Sequence, residues 1–556
     1  MPMRFGSTLI ALALAFGGVT GSTVDVWAAE VEPTRLAVVI PLTVPPETTG
    51  LIPAETLETY TAPTGLLTVG LNAVIDRPVA IGLDPMIVAS IRILGTAAPE
   101  SATQWLSRLD NATNEIFALS YADSDVSALS HAGSTSIAEP ISFVIDPALF
   151  PEQAEAPMGG LAPDETAPPS PTATPPDFTV PTSETLTDWG YTMDSVVWPR
   201  RETVTAMDLA TFNSVSAVTT ILSSANVAAA RGASASVDGH AVLVSDDTVS
   251  SVLAEAIGSL TESDWQAAMA KLVPAIARGA GSGTVLAALD RNLPGNADNL
   301  AKTIAALTPL ADVTLTSLGD ARLETAAAAR LVEAPLETER VSRLRLLLAA
   351  EALIGPFATL LEDPTLLTGE RRLSLLALAS NSWLDNQVGW STAVDEWLER
   401  SNVIYNSVQI AESSTLQFFQ DKGYLPIAVS NNLDFPVTVY VTVRSDTGIL
   451  VVLESRVPLV IEPNSQSRAF IPVQSIANGE VTLEVSLSSE SRVPISNPKQ
   501  VTTNVIAGWE TAATFIIAAL LLVIFFAGIV RTVLKRKTLN AANEPAEDAA
   551  AVEHGE

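Results

Sequence analysis

The chain has 556 residues, with 62 acidic against 30 basic side chains and a formal net charge of −32, a surface that repels nucleic acid and anionic lipid headgroups. It contains no cysteine and only three histidines, His131, His240 and His554, which excludes disulfides, thiolate catalysis and cysteine-based metal sites. Apolar residues make up 47% of the sequence, enough to bury real cores in a chain whose length suggests about three or four domains.

Residues 1–28 read as a signal peptide. Arg4 supplies the positive end, Thr8 to Val19 is a short apolar run, and Val26 and Ala28 fit the small-residue rule at a cleavage site, so the mature chain would begin near Ala29. From 29 to 336, short apolar runs alternate with helix-like stretches. The strand-like runs are Leu36–Pro41, Val79–Asp84, Ile116–Ser120, Ser195–Pro199, Thr219–Leu222, Ala241–Val244, Thr284–Leu289 and Val313–Leu315. The helical stretches include Ser101–Leu109, Thr248–Ile257, Trp265–Arg278 and Asn296–Leu307. Strand-then-helix repetition predicts a parallel sheet, here a (β/α) barrel-like domain, with an open doubly wound sheet as the competing architecture. Residues 151–186 interrupt the pattern with Ser/Thr/Pro-rich sequence, including Pro169 to Pro176, and read as an extended spacer.

Residues 337–404 carry apolar side chains at helical spacing over Arg340–Ile354, Arg371–Trp383 and Trp390–Ile404. From 405 to 507 the period changes to two. Val437, Val439, Val441 and Val443 alternate with polar residues, as do Val481, Leu483, Val485 and Leu487, and turn residues separate further short runs. This predicts an immunoglobulin-like β-sandwich. Residues 511–530 hold no charge and are long enough for a single transmembrane helix. Arg531, Lys535, Arg536 and Lys537 follow it, which predicts a cytoplasmic tail over 531–556 and an N-terminus outside the cell membrane, a single-pass type I arrangement. The expected fold is thus multidomain, α/β plus all-β.

The sequence resembles an actinobacterial family of uncharacterised membrane proteins, domain of unknown function 6049. The residues that carry the resemblance are Val38 to Leu42, Gly82-Leu83-Asp84-Pro85 with the Trp105-Leu106 helix, the run Leu119 to Leu129, Val197-Trp198-Pro199, Pro463-Asn464-Ser465 and Ile476 to Gly479. Ile40 stands where Trp is more usual in that family, and Ser120 where Pro is common. Members often lie beside a lipid II flippase of the MviN type, so the resemblance implies a role in the cell envelope.

Sites on such parallel sheets collect at the C-terminal ends of strands. The acidic residues placed there are Asp84, Asp123, Asp125, Asp246, Asp247 and Asp290, with Tyr121, Trp198 and Arg291 nearby. We take Tyr121, Asp123, Asp125, Trp198 and Asp84 as a candidate ligand-binding mouth for a hydroxyl-rich ligand. The competing account is that the aspartates cap helices, as Asp246 before Thr248 suggests. Two carboxylates facing a sugar could instead run glycoside hydrolysis. No zinc-binding histidine pair, no serine-nucleophile elbow and no nucleotide loop is present in the sequence, so no cofactor and no metal is expected and no catalytic residue is assigned. The favoured expectation is a binding or scaffold protein of the envelope, its partners the membrane and either cell-wall glycan or an envelope-biogenesis membrane protein. The alternative is a carbohydrate-active enzyme. Deleting Glu152–Pro181 should leave the melting temperature nearly unchanged, because this segment has too few apolar residues to pack; circular dichroism melts of the deletion variant check it.

Overall fold

The structure, a computed structural model, describes residues 33–150, 180–214, 216–291, 297–334, 337–411, 416–506 and 508–541. The expected signal peptide, most of the Ser/Thr/Pro stretch and the end of the tail lie outside these residues. The fold is mixed α/β, with helices, several β-sheets and one long apolar helix near the C-terminus.

The first region holds strands β1 (Thr34–Leu42), β2 (Ala80–Leu83), β3 (Ile116–Ala118), β4 (Val196–Val197), β5 (Thr219–Ser223), β6 (Val227–Ala228), β7 (Ser234–Val237), β8 (His240–Ser245), β9 (Val285–Ala288), β10 (Val313–Leu315) and β11 (Ala327–Leu331). Its helices are α1 (Ala54–Thr61), α2 (Leu66–Val74), α3 (Pro85–Ile93), α4 (Glu100–Asp110), α5 (Val126–Ala132), α6 (Ser183–Thr187), α7 (Ala206–Phe212), α8 (Asp247–Ile257), α9 (Glu262–Ala277), α10 (Ala297–Leu307) and α11 (Leu318–Leu323). A strand stands at each of the eight runs read from the sequence. Strand β1 is the hub: its residues from Leu36 to Leu42 are buried on both faces, as the unbroken apolar run Leu-Ala-Val-Val-Ile requires of a covered parallel strand. The parallel order is β3-β2-β1-β9-β8-β5-β4. Strand β10 joins β1 at Thr34–Leu36, ahead of the residues that pair with β2.

Strands β6, β7 and β11 were not expected. They form an annex in which β7 runs antiparallel to β8 and parallel to β11, and β11 runs antiparallel to β6. Their Ala/Ser-rich sequence lacks the β-branched and aromatic signal of a strand. The two ends of the parallel order, β3 and β4, share no ladder among the described residues. The backbone N–H groups of Thr192 and Met193 donate to the Ile116 carbonyl, and beyond that point the two strands part. Helix α6 begins inside the stretch read as a spacer, with Leu186 fully buried.

Helices α12 (Thr338–Ala358), α13 (Thr365–Leu378) and α14 (Gln387–Tyr405) follow. Leu344 and Leu347 of α12 belong to the same core as β1 and β2, whereas Ile354 and Phe357, farther along the same helix, belong to the core of the next unit. That unit holds β12 (Val408–Ile410), β13 (Leu416–Phe418), β14 (Lys422–Asn431), β15 (Val437–Ser445), β16 (Leu450–Val452), β17 (Arg456–Ile461), β18 (Ser465–Ser475), β19 (Gly479–Ser488) and β20 (Lys499–Val505). They form two sheets, β12-β14-β18-β16 and β13-β20-β19-β15-β17. The valines at 437, 439, 441 and 443 all point into the shared core, and Thr438 points out, because alternate side chains of a strand take opposite faces.

Helix α15 (Gly508–Ala541) is longer than the 511–530 segment read from the sequence. Its apolar window is Thr514–Arg536, with mean hydropathy 2.6 and no part of it buried. Among the described residues it is the one helix long and apolar enough to cross a membrane.

Candidate functional site

The candidate site is built on the loop that leaves β3. Ala122 and Asp123 adopt left-handed backbone angles, φ 57° and 45°, which non-glycine residues take up only where their surroundings hold them. The holding groups come from the helical region. The Asp125 N–H donates to the Ala379 carbonyl at 2.9 Å, Asn381 Nδ2 donates to the Asp123 carbonyl at 2.9 Å, and Ser124 pairs with Ser380. Arg340, at the start of α12, donates from Nη2 to the carbonyls of Ala379 and Ser380. The turn after α13 is therefore clamped onto the loop after β3.

Each aspartate of the expected mouth has a task inside this arrangement. Asp84 caps α3, accepting from the Met86 N–H at 2.9 Å. Asp125 caps α5, accepting from the Ala128 N–H at 3.0 Å, and its other oxygen lies 3.5 Å from Arg340 Nε and 3.7 Å from Arg200 Nε. Asp123 accepts from Arg291 Nε at 3.2 Å. Arg291 also donates to the carbonyls of Trp198 and Pro199 and lies over the Trp198 ring at 4.7 Å. All three aspartates are at most 2% exposed. Burial pushes the Asp84 carboxyl up to about 8, the nearby Asp123 charge adding to the rise while the Met86 N–H opposes it. Burial also raises Asp123, to about 6, against the pull of Arg291. At neutral pH Asp84 is therefore mostly neutral in the folded chain.

Tyr121 and Trp198 meet elsewhere. Both line a cavity of about 760 Å³ that lies where β3 and β4 part, between Ala118 and Leu119 on one side and Val196 and Val197 on the other. Phe143, Tyr191 and Phe212 complete its aromatic lining, Glu139, Glu184 and Asp194 are its charged residues, and no basic residue lines it among those described. The Tyr121 hydroxyl donates to the Gly50 carbonyl at 2.6 Å, fixing the ring. Asp84, Asp123 and Asp125 are not part of this lining. The structure thus divides the five residues singled out in the sequence into two aromatic cavity residues and three buried carboxylates behind them.

The remaining sequence candidates are spread apart. Asp246 caps α8 through the Val249 N–H at 2.9 Å, Asp247 pairs with Arg201, and Asp290 accepts from the Arg291 N–H. His131 contacts Asp208 at 3.1 Å. No group of three metal-ligating side chains occurs among the described residues. Arg340, Arg200 and Asn381 were not foreseen as site residues. Nothing in the sequence separates Arg340 from Arg343 and Arg345 on the same helix. The segment 136–141, which supplies one wall of the cavity, has no periodic pattern to mark it.

The model of a family of unknown function, DUF6049, matches residues 17–547. No curated protein matches the chain. Among solved structures, native Escherichia coli alpha-2-macroglobulin is similar over 18% of this chain and 7% of that chain, with 18% identity and a TM-score of 0.16. The E. coli chaperone DraB is similar over 18% of this chain and 56% of that chain, with 14% identity and a TM-score of 0.14. The alpha-amylase AmyC from Thermotoga maritima is similar over 68% of this chain and 93% of that chain, with 11% identity and a TM-score of 0.39. The chain spans only a small part of the macroglobulin it matches, and all three scores are too low to establish a shared fold.

Two outcomes follow from the buried charges. Arg340→Ala should lower stability by about 3–5 kcal/mol, because it leaves Asp125 buried without its closest cation; denaturant titration measures the loss. For Asp84 the folded value near 8 lies above the ordinary carboxylate value of 3.8, so the folded chain holds a proton that the unfolded chain releases between those pH values. Stability from this group is complete below the lower value and falls as pH rises toward the higher one. Asp84→Asn keeps the cap and should flatten that fall, which melting curves at a series of pH values between the two will show.

Proposed function

The chain belongs to the DUF6049 family of unknown function, and on that premise we propose that it is a binding or scaffold protein of the cell envelope, held in the cell membrane by α15 with its N-terminal bulk outside and its tail in the cytoplasm. In this reading the parallel strands form a barrel-like domain whose wall is open between β3 and β4, and the two-sheet unit is an immunoglobulin-like sandwich between that domain and the membrane. The partner is a hydroxyl-rich ligand such as cell-wall glycan, or a membrane protein of envelope biogenesis.

The observation that carries the reading is the composition of the cavity at the open wall. Tyr121 and Trp198, 3% and 7% exposed, back the cavity, the half-buried Tyr191 ring offers an apolar face to a sugar, and Ser120, Ser136, Ser183 and Thr187 supply hydroxyl partners. With three carboxylates and no basic residue among the described lining residues, an anionic ligand such as a diphosphate would be repelled. Glycoside hydrolysis needs two carboxylates facing the sugar. Asp84 and Asp123, the carboxylates at the strand ends, are buried, the first capping α3 and the second paired with Arg291, so neither faces a sugar in this cavity.

Ile141 lines the cavity and is half exposed, so Ile141→Arg should obstruct the opening and leave the melting temperature as in the parent. Its retention on purified cell-wall glycan, measured by co-sedimentation, should fall about tenfold or more, the loss of roughly 1.4 kcal/mol. Retention equal to the parent would remove this cavity from consideration.

A further inference from the structure

The end of the two-sheet unit from which α15 leaves is rimmed by exposed apolar side chains. Strand β20 ends at Val505, paired with Gly479 at the start of β19, and the Ile506 N–H donates to the Phe418 carbonyl. Three loops therefore gather at this end: the one after Phe418, the one after Ser475, and the exit to α15. Each carries a large apolar residue in the open: Phe419 is 59% exposed, Ile476 49% and Ile506 41%. Tyr424, two residues into β14 from the same end, is 67% exposed. Asp421, Lys422 and Glu480 stand among them.

The distance to the apolar window of α15 is short. Gly508 and Thr514 are six helical steps apart, about 9 Å at 1.5 Å per residue, and Ile506 lies at most about 7 Å from Gly508 along the chain. The headgroup zone of one leaflet is about 5–8 Å thick. The two spans add to at most about 16 Å, reached only if the connection is fully extended along the membrane normal, so any shorter path brings the rim to the headgroup layer. An aromatic and two isoleucines among scattered charges, with a tyrosine just above, is the composition of a surface that lies in that zone.

We infer that this rim seats the two-sheet unit on the outer headgroup layer of the bilayer, with Phe419, Ile476 and Ile506 immersed among the headgroups, so that the unit stands on the membrane as a foot and does not swing free on a tether. The inference rests on the reading that α15 crosses a bilayer. The charges of Asp421, Lys422 and Glu480 limit the depth to the headgroup layer.

The absence of native cysteine makes single-site labelling direct. Full-length protein carrying Phe419→Cys, Ile476→Cys or Tyr424→Cys is spin-labelled and reconstituted in phosphatidylcholine vesicles, and collisions with a water-soluble nickel chelate are compared with those in detergent-free water-exposed positions of the same protein. Val460→Cys, 59% exposed at the opposite end of the sheet where Val460 pairs with Thr438, is the wet reference. Leu521→Cys, within the apolar window of α15, is the lipid reference. The expected result is a several-fold loss of nickel collisions at Phe419 and Ile476 relative to Val460, with Tyr424 intermediate. Nickel access at Phe419 and Ile476 equal to Val460, while Leu521 is shielded, would overturn the foot and leave the spanning helix intact. A Leu521 label as wet as Val460 would overturn the spanning helix itself, and the foot with it. Because the vesicles contain no other protein and carry on average one chain each, shielding there cannot come from a protein partner or from a second copy.

Discussion

The buried charge pair between Asp125 and Arg340 ties the parallel-sheet region to the helices that follow it. Asp125 sits at the end of the loop after β3, and Arg340 opens α12, more than two hundred positions later in the chain. Neither side chain reaches water. A buried pair of this kind adds little by itself but cannot lose one partner cheaply, so it locks in a single arrangement. Around it stand the clamp of Ala379 to Asn381 on the loop, the left-handed backbone at Ala122 and Asp123, and the buried carboxylates of Asp84, Asp123 and Asp125.

That locking explains why the open surface lies to one side. On a parallel sheet the loops at the strand ends are the expected place for a ligand. Here the helical region covers those of β2 and β3, and space remains instead where β3 and β4 separate. The aromatic residues Tyr121 and Trp198 reach that space because their neighbours, Gly50 for the tyrosine hydroxyl and Arg291 for the indole face, hold them against it. Cavity lining and structural contacts thus share a loop but use different side chains of it.

Much of this fold was legible in the sequence because its signals are local. The apolar runs of the eight parallel strands, the helical spacing over Arg340–Ile354 and the two-residue period of Val437 to Val443 each report which face of an element is buried. The capping role of Asp246 was equally local, since the residue before an apolar helical run is where a cap belongs. What the sequence did not reveal depends on contacts between distant segments. Strands β6, β7 and β11 are held by their neighbours and not by their own propensity, and Arg340 becomes a site residue only because α12 carries it to the loop after β3. The length of α15 was also underestimated, since the basic cluster at Arg531 to Lys537 ends the apolar stretch without ending the helix.

Helix α12 has one further consequence. Its 21 residues make a rod of about 32 Å, and its two ends are set in two different hydrophobic cores, Leu344 and Leu347 in the first and Ile354 and Phe357 in the second. A rod anchored in two cores does not act as a hinge. Whatever pulls on the cavity between β3 and β4 therefore loads the two-sheet unit, as a lever loads its fulcrum. The cavity and the two-sheet unit are then held like two fittings on a single strut.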